Sequence, residues 1–186
     1  MKSGIEAFEP DAIDLQIIDA LQEHGRMPHA KLADQVGLSA PSVIERVKKL
    51  EDSGVITGYH AAIDARMVGK DVTAFIGVSI GHPRTINLFE ETVAQVPDVL
   101  ECHHVTGEHT VLLKVKTHNT ASLEQLIRMI RAIDGVTRTE TMVVLSTHTE
   151  RAQITITADE NPQDAGNGRR HRHAVVRNST GESRRA

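Results

Sequence analysis

The chain has 186 residues, of which 39% are hydrophobic and 25% charged, a composition typical of a globular protein with one ordinary domain or two small ones. A single cysteine excludes an intrachain disulfide and fits a reducing cytoplasm, and no apolar run approaches the roughly 20 residues that a membrane-spanning helix needs. The net charge is −4, but residues 165–186 contain six arginines and one glutamate, so the rest of the chain carries −9. Any nucleic-acid binding must therefore depend on a local basic patch, because the overall field repels phosphate.

The first third of the chain predicts three short helices. Asp11 is placed to cap the first helix, and the second runs over about residues 29–36 and ends at Gly37. Ser39 caps the third helix, which ends at Gly54. The buried stripe of the third helix consists of Val43, Val47 and Leu50. Two helices joined by a tight glycine turn predict a helix-turn-helix, and the extended residues after Gly54 predict its wing.

The second half predicts an α+β domain. Alternating apolar residues indicate strands, and residues repeating at three and four positions indicate amphipathic helices. In chain order the segments are strand 72–80, helix 86–96, strand 99–105, strand 111–116, helix 123–133 and strand 136–145. This βαββαβ order predicts a ferredoxin-like antiparallel sheet with helices on one face. Its other face needs a cover, and a second copy of the sheet would provide one, so we expect a homodimer.

The residues after the last strand have a different character. From about residue 158 Gly, Asn, Gln, Arg and His dominate without periodicity, which predicts a disordered Arg-rich tail. The expected organisation is an N-terminal extension over 1–10, a winged helix-turn-helix domain over 11–63, a connector over 64–71, the sheet domain over 72–157 and the tail over 158–186.

A basic face on the third helix is the candidate for binding DNA. Ser42, Arg46 and Lys49 recur at helical spacing beside Lys48, with Glu45 as the one acidic residue from 40 to 50. Arg and Lys bind phosphates and guanine, Ser bonds to either phosphate or base, and Glu accepts from cytosine. The alternative is that these residues form only a solvated polar face. The helix-turn arrangement before them favours DNA.

The motifs on which the next inference rests occur in both halves. They are D-A-I-D at 11–14, D-Q-V-G-L-S-A-P-S at 34–42, R-V-K-K-L-E at 46–51, G-V-I-T-G-Y at 54–59, P-D-V-L-E-C-H at 97–103, V-T-G at 105–107, L-L-K-V at 112–115 and T-M-V-V-L at 141–145. With these motifs the chain resembles the Lrp/AsnC family of transcriptional regulators, the feast/famine regulatory proteins, over about residues 10–150.

The resemblance implies a double-stranded DNA-binding domain and an effector domain that binds amino acids or related small molecules between protomers. It further implies dimers that associate into tetramers, octamers or larger assemblies. The segment 29–48 corresponds to the helix-turn-helix, with the helix from residue 40 as its reader. The expected DNA-binding residues are His29, Ser39, Ala40, Ser42, Val43, Glu45, Arg46, Lys48 and Lys49.

The effector site implied by the resemblance lies at the turn after V-T-G. The expected effector-binding residues are Gly107, Glu108, His109, Thr110, Met142 and Val143. Relatives that bind amino acids carry alternating acidic and aromatic residues after V-T-G, whereas this chain keeps only the acidic Glu108. The site therefore takes either a different effector or none, since an ammonium group needs a carboxylate partner. The alternative is that Gly107 only makes a turn and Met142 only packs in the core.

Three other functions compete with regulation of transcription. Cys102, His103, His104 and His109 suggest a metal site, but alternation along a strand points His103 away from its two neighbours, so we expect no metal or other cofactor. Tetrapyrrole (siroheme) decarboxylases resemble these regulators and are the enzymatic alternative, although the basic helix face favours a regulator without catalytic residues. An oligomerising scaffold would need neither the basic face nor the divergent turn.

Overall fold

The computed structural model describes residues 8–156, which form two compact units. The first unit contains residues 8–59 and 152–156, and the second contains residues 60–151. The last described residues thus belong with the helices rather than with the sheet, where the sequence placed them. Gln22 explains this placement, because its amide exchanges hydrogen bonds with the backbone of Ile154 at 2.8 and 3.0 Å. The expected N-terminal extension up to residue 7 and the Arg-rich tail lie outside the described residues.

Three helices form the first unit, as predicted: α1 (Ala12–Glu23), α2 (His29–Val36) and α3 (Ala40–Asp52). The first begins in a capping box, in which the Asp11 carboxylate accepts from the Asp14 amide at 2.8 Å and the Asp14 carboxylate accepts from the Asp11 amide at 3.1 Å. Within residues 8–156 no helix combines the length and apolarity that crossing a membrane requires.

The core of the first unit lies between these helices. Its buried members are Ile17, Ala20, Leu21, Leu32, Ala33, Val43, Val47 and Leu50. Residues 55–63 contain no assigned strand in the structure, although the sequence predicted an extended wing there. Ile56 of this segment packs against the helical core, and the Tyr59 hydroxyl donates to the Glu51 carboxylate at 3.0 Å. The segment is therefore held to the helices by side-chain contacts.

The second unit has the predicted ferredoxin-like topology. Its elements are β1 (Val72–Ile80), α4 (Ile86–Ala94), β2 (Val99–His104), β3 (Val111–Thr117), α5 (Thr120–Arg131) and β4 (Val136–Val143). The strands pair in the order β2-β3-β1-β4, and every pair is antiparallel. The α+β fold expected from the sequence is thus confirmed.

The two faces of the sheet differ. Ala74, Ile76 and Val78 of β1 point towards the helices and pack with Phe89 of α4 and Ile130 of α5. The opposite face, which we call the open face, carries the alternate side chains and no helix of residues 60–151. Its residues are Thr73, Phe75, Gly77, Ser79, Leu112, Lys114, Lys116, Arg138, Glu140 and Met142. A cavity of about 700 Å³, partly lined by Phe75 and Lys114, lies on this face.

Gly135, in the turn before β4, should be sensitive to substitution. Its φ of 90° is left-handed, and a Cβ atom there would lie 2.1 Å from the Thr85 hydroxyl oxygen. We expect Gly135→Ala to lower the free energy of unfolding of the sheet domain by about 1–3 kcal/mol, measured by denaturant unfolding. The control is Gly107→Ala, where φ is also positive but no atom lies within 4 Å of the added Cβ. Equal losses in the two variants would contradict the steric argument.

Candidate DNA interface and effector turn

The candidate DNA interface is the exposed side of α3. The buried side consists of Val43, Val47 and Leu50. The exposed side includes Glu45, Lys48 and Lys49. Val43 has no exposed surface, so it anchors the helix and is not available for the DNA contact that the sequence analysis assigned to it.

Arg46 does not lie on the exposed side either. It precedes Leu50 by four residues, which is only about 40° around an α-helix, so its side chain leaves the flank of α3. Its Nη1 lies 2.8 Å from an Asp11 carboxylate oxygen and 2.7 Å from an Asp14 carboxylate oxygen. Asp14 is only 4% exposed. The predicted DNA contact of Arg46 is thus replaced by an ion pair within the protein, which joins α3 to the start of α1.

This ion pair also sets the charge state of the Asp11 carboxyl. A hydrogen bond from the Asp14 backbone amide and a second from the Arg46 guanidinium lower the pKa of Asp11 below its ordinary value of 3.8. The carboxylate therefore stays ionised and serves both as the cap of α1 and as a partner of Arg46. The helix-turn-helix is stabilised electrostatically at the place where α1 and α3 meet.

The remaining predicted DNA contacts lie at the helix starts and along α3. His29 begins α2 and is exposed. Ser39 caps α3, with its hydroxyl 2.8 Å from that of Ser42, at the start where Ala40 also lies. The Lys49 ammonium sits 4.5 Å from the centre of the Phe8 ring, a cation–π contact that orients it. Contact of these residues with DNA stays a prediction.

The predicted effector turn follows β2. Gly107 adopts a φ of 119°, and Glu108 after it pairs with Arg138 of β4. The hydrogen bond from Arg138 lowers the pKa of the Glu108 carboxyl. Thr110 is committed to the sheet, because its amide donates to Val78 O at 2.9 Å and its hydroxyl accepts from Ile80 N at 3.1 Å. Glu108 and His109 are therefore the turn side chains that face β4.

Met142 and Val143 are not brought to this turn within one chain. Met142 pairs with Phe75, while the turn reaches β1 near Ser79, four positions further along the strand. At strand spacing this is roughly 13 Å. Both residues are about half exposed, so the alternative that Met142 packs in the core does not hold either. The two predicted walls of the effector site could form one pocket only between chains.

Arg138 and Glu140 are the functional candidates that the sequence analysis missed. Arg138 pairs with Ser79 and Glu140 with Gly77, so both reach the turn at residues 107–110 from the open face. Arg138 Nη2 lies 3.1 Å from a Glu140 carboxylate oxygen. Alternation along the last strand already placed residues 138, 140 and 142 on one face. Only the strand register showed that 138 and 140 lie beside the turn.

The Cys/His segment of β2 forms no metal cluster in the described residues. His103 lies 3.1 Å from Glu101, and His104 lies 2.5 Å from Glu90 of α4, so the two imidazoles use different carboxylates. His109 belongs instead to the group around Glu108 and Glu140.

Comparison with known proteins agrees with this architecture. The model of the AsnC-type helix-turn-helix domain matches residues 11–51, and that of the Lrp/AsnC ligand binding domain matches residues 73–154. A leucine-responsive regulatory protein of Rhizobium meliloti is 38% identical over 151 residues, which cover 80% of this chain and 97% of the relative.

Solved structures give the same result. A Neisseria meningitidis transcriptional regulator in complex with L-methionine has a TM-score of 0.75 and 28% identity, covering 78% of this chain and 96% of its own. A feast or famine regulatory protein from M. tuberculosis, complexed with L-methionine, has a TM-score of 0.74 and 31% identity, covering 78% and 99%.

A helix-turn-helix unit followed by a ligand-binding βαββαβ unit defines a transcriptional regulator with two functions, DNA binding and effector binding. The chain belongs to the Lrp/AsnC family of transcriptional regulators. The matched relatives are named as regulators, so the comparisons do not support the alternative of a tetrapyrrole decarboxylase.

Proposed function

We propose that this regulator binds operator DNA as a homodimer through α3, and that an amino acid or related small molecule at the turn 107–110 modulates the binding. The observation that carries the proposal is the exposed pair Lys48 and Lys49 on α3 of a chain whose net charge is −4. Cations confined to one helix face direct a duplex to that face. We place the protein in the cytoplasm, with its DNA target.

The contacts proposed with DNA divide by chemistry. Lys48 and Lys49 bind phosphates or guanine, while Ser39, Ser42 and Glu45 lie where they can reach phosphates or base edges. His29 and Ala40, at the starts of α2 and α3, would approach the backbone beside the groove. Arg46 has no direct part in this set, because its guanidinium is already bound to Asp11 and Asp14.

Dimerisation is supported by the open face of the sheet. Phe75, Leu112 and Met142 give this face an apolar component between the charged side chains. A second copy of the face would cover those side chains and remove them from water. Association of such dimers into tetramers or octamers would bring the turn at 107–110 against residues of another protomer, which is how Met142 and Val143 could join it.

The test of this architecture is to recover genomic fragments bound by the full-length protein. We expect an enriched, roughly palindromic site with half-sites separated by whole helical turns, because a two-fold dimer presents two α3 helices. Light scattering should give a mass of at least twice the 20.4 kDa of one chain. A monomer at micromolar concentration, or fragments without an enriched site, would contradict the proposal.

The charges around the turn suit a zwitterion. Glu108 and Glu140 offer carboxylates for an ammonium group, and Arg138 between them offers a guanidinium for a carboxylate. These three side chains now neutralise one another. A free amino acid would exchange those contacts for its own, which changes how the turn is joined to β4.

Glu108→Gln should abolish the thermal stabilisation that an amino-acid effector gives. A bound ligand stabilises by RT ln(1 + [L]/Kd), about 2.7 kcal/mol at a hundredfold excess over Kd, and the amide loses the ionic partner of the ammonium group. The control is Glu124→Gln, which breaks a comparably exposed pair with Arg128 on α5. If none of the common amino acids shifts the melting temperature of the parent protein, the amino-acid part of the proposal is refuted.

A further inference from the structure

A cluster of three metal-ligating side chains lies beside the turn. His109 Nε2 and one carboxylate oxygen each of Glu108 and Glu140 all lie within 4.8 Å of one another. Within residues 8–156 this is the one group of three or more histidine, cysteine or acidic side chains that meets this distance. The residues come from two places 30 positions apart in the chain, the turn after β2 and the strand β4.

The His109 ring is oriented before any ligand arrives. Its side chain is only 15% exposed and lies over Gly77, where an added Cβ would be 2.4 Å from the ring. Its Nδ1 lies 3.5 Å from the Ser79 hydroxyl oxygen, which leaves Nε2 directed towards Glu140. A metal-binding histidine characteristically has its second ring nitrogen beside such a polar group.

The distance between His109 and Glu140 fits two ligands of one ion. Nε2 lies 3.6 Å from the carboxylate oxygen, which is too long for a hydrogen bond. Two ligands at 2.0–2.1 Å from a tetrahedral ion lie about 3.3 Å apart. A small movement of the exposed Glu140 side chain would therefore close the geometry around a metal.

Arg138 holds the place of a cation in this cluster. Its guanidinium bonds to Glu108 through Nη1 and to Glu140 through Nη2, so both carboxylates already share one positive charge. Its side chain is 55% exposed and can turn out into water. A divalent ion bringing two charges to the same oxygens would compete with the guanidinium for them.

We propose that Glu108, His109 and Glu140 bind a divalent transition-metal ion of the Zn²⁺ type. One imidazole and two carboxylates form a nitrogen and oxygen donor set that suits such ions better than Cu(I), which prefers thiolates. Water would complete the coordination. The ion would tie the turn at 107–110 to β4, and so becomes a candidate effector. Binding of the ion is independent of the proposed function, whereas its role as an effector rests on it.

The test titrates the metal-free full-length protein with ZnCl₂ by calorimetry, and with Co²⁺ by visible absorption. His109→Ala and Glu140→Gln should each weaken the site by at least roughly tenfold, because each removes a ligand. His103→Ala is the control, since this exposed histidine of β2 pairs with Glu101 outside the cluster. The protein has eleven histidines, and all the others are common to the variants.

Two further variants distinguish a metal site from an amino-acid site at the same side chains. Gly77→Ala removes no ligand, but its Cβ should displace the His109 ring and weaken the metal site. Arg138→Gln should strengthen metal binding by removing the competing cation, whereas it should weaken an amino acid that uses the guanidinium. Circular dichroism verifies that each variant folds.

Several results would overturn the proposal. They are the absence of a Zn²⁺ or Co²⁺ site in the parent protein, a site that survives both His109→Ala and Glu140→Gln, or metal binding weakened by Arg138→Gln. The effector role is read separately from operator affinity with and without the metal. A metal-bound protein with unchanged operator affinity would refute that role, while failure of all DNA binding would refute the proposed function and leave the calorimetric result intact.

Discussion

Arg46→Ala should lower the free energy of unfolding of the helical unit by about 2–3 kcal/mol. The change removes the guanidinium that lies 2.7 Å from Asp14 and leaves a carboxylate with only 4% exposure without its cationic partner. The expected loss stays below that for a fully buried pair because the Arg46 side chain is 31% exposed and Asp11 is 54% exposed. Hydrogen exchange of the α1 and α3 amides localises the loss to this unit.

The matched control is Lys48→Ala, which removes a cation from the exposed side of α3 and should change stability by less than about 0.5 kcal/mol. Combining Arg46→Ala with Asp14→Asn should cost less than the sum of the single changes, since the amide no longer leaves a charge without a partner. Full additivity, or unchanged amide protection in Arg46→Ala, would show that the ion pair does not stabilise the unit.

The same ion pair predicts a response to acid. The pKa of Asp11 is lowered in the folded state, so the stabilisation is complete well above 3.8 and is lost as the pH falls through the lowered value. The helical unit of the parent protein should therefore lose more stability between neutral pH and strongly acidic pH than that of Arg46→Ala.

Replacing Lys48 and Lys49 together by alanine should produce the largest loss of DNA binding. Each phosphate contact contributes about 0.9 to the slope of log affinity against log salt, so two contacts remove about 1.8 for each α3 on the duplex. Extrapolated from 1 M salt, this corresponds to about 60-fold weaker binding at 0.1 M salt for each helix. Stability should not fall, because both side chains are exposed.

The measurement titrates operator and random duplexes at several salt concentrations. Equal losses on both duplexes indicate phosphate contacts, and a larger loss on the operator indicates base contacts, worth roughly 1–3 kcal/mol at one position. The control with the same charge change is Arg84→Ala with Arg128→Ala in the sheet domain, where both arginines are exposed. Operator affinity that is unchanged in the lysine variant would exclude this face of α3 from the interface.

Local patterns in the sequence determined the elements and the fold. The buried stripe of α3, the cap of α1 at Asp11 and the alternation in β1 each lie within one short segment, and each appears in the structure. Helical and strand periodicity depend on neighbouring residues alone, which is why sequence suffices for them. The order of these elements then left one common topology for the sheet.

Tertiary structure decided which side chains meet. Arg46 finds Asp11 and Asp14 more than thirty residues away, and Glu108 finds Arg138 at a similar separation. A spacing pattern on α3 could not distinguish its flank from its exposed side, because only about 40° separates Arg46 from the buried Leu50. Likewise, alternation on β4 could not give its register against β1, and a shift of two positions along the strand would have placed Met142 where Glu140 now lies beside the turn. Side-chain pairing across a fold depends on where segments pack, and that information is not local.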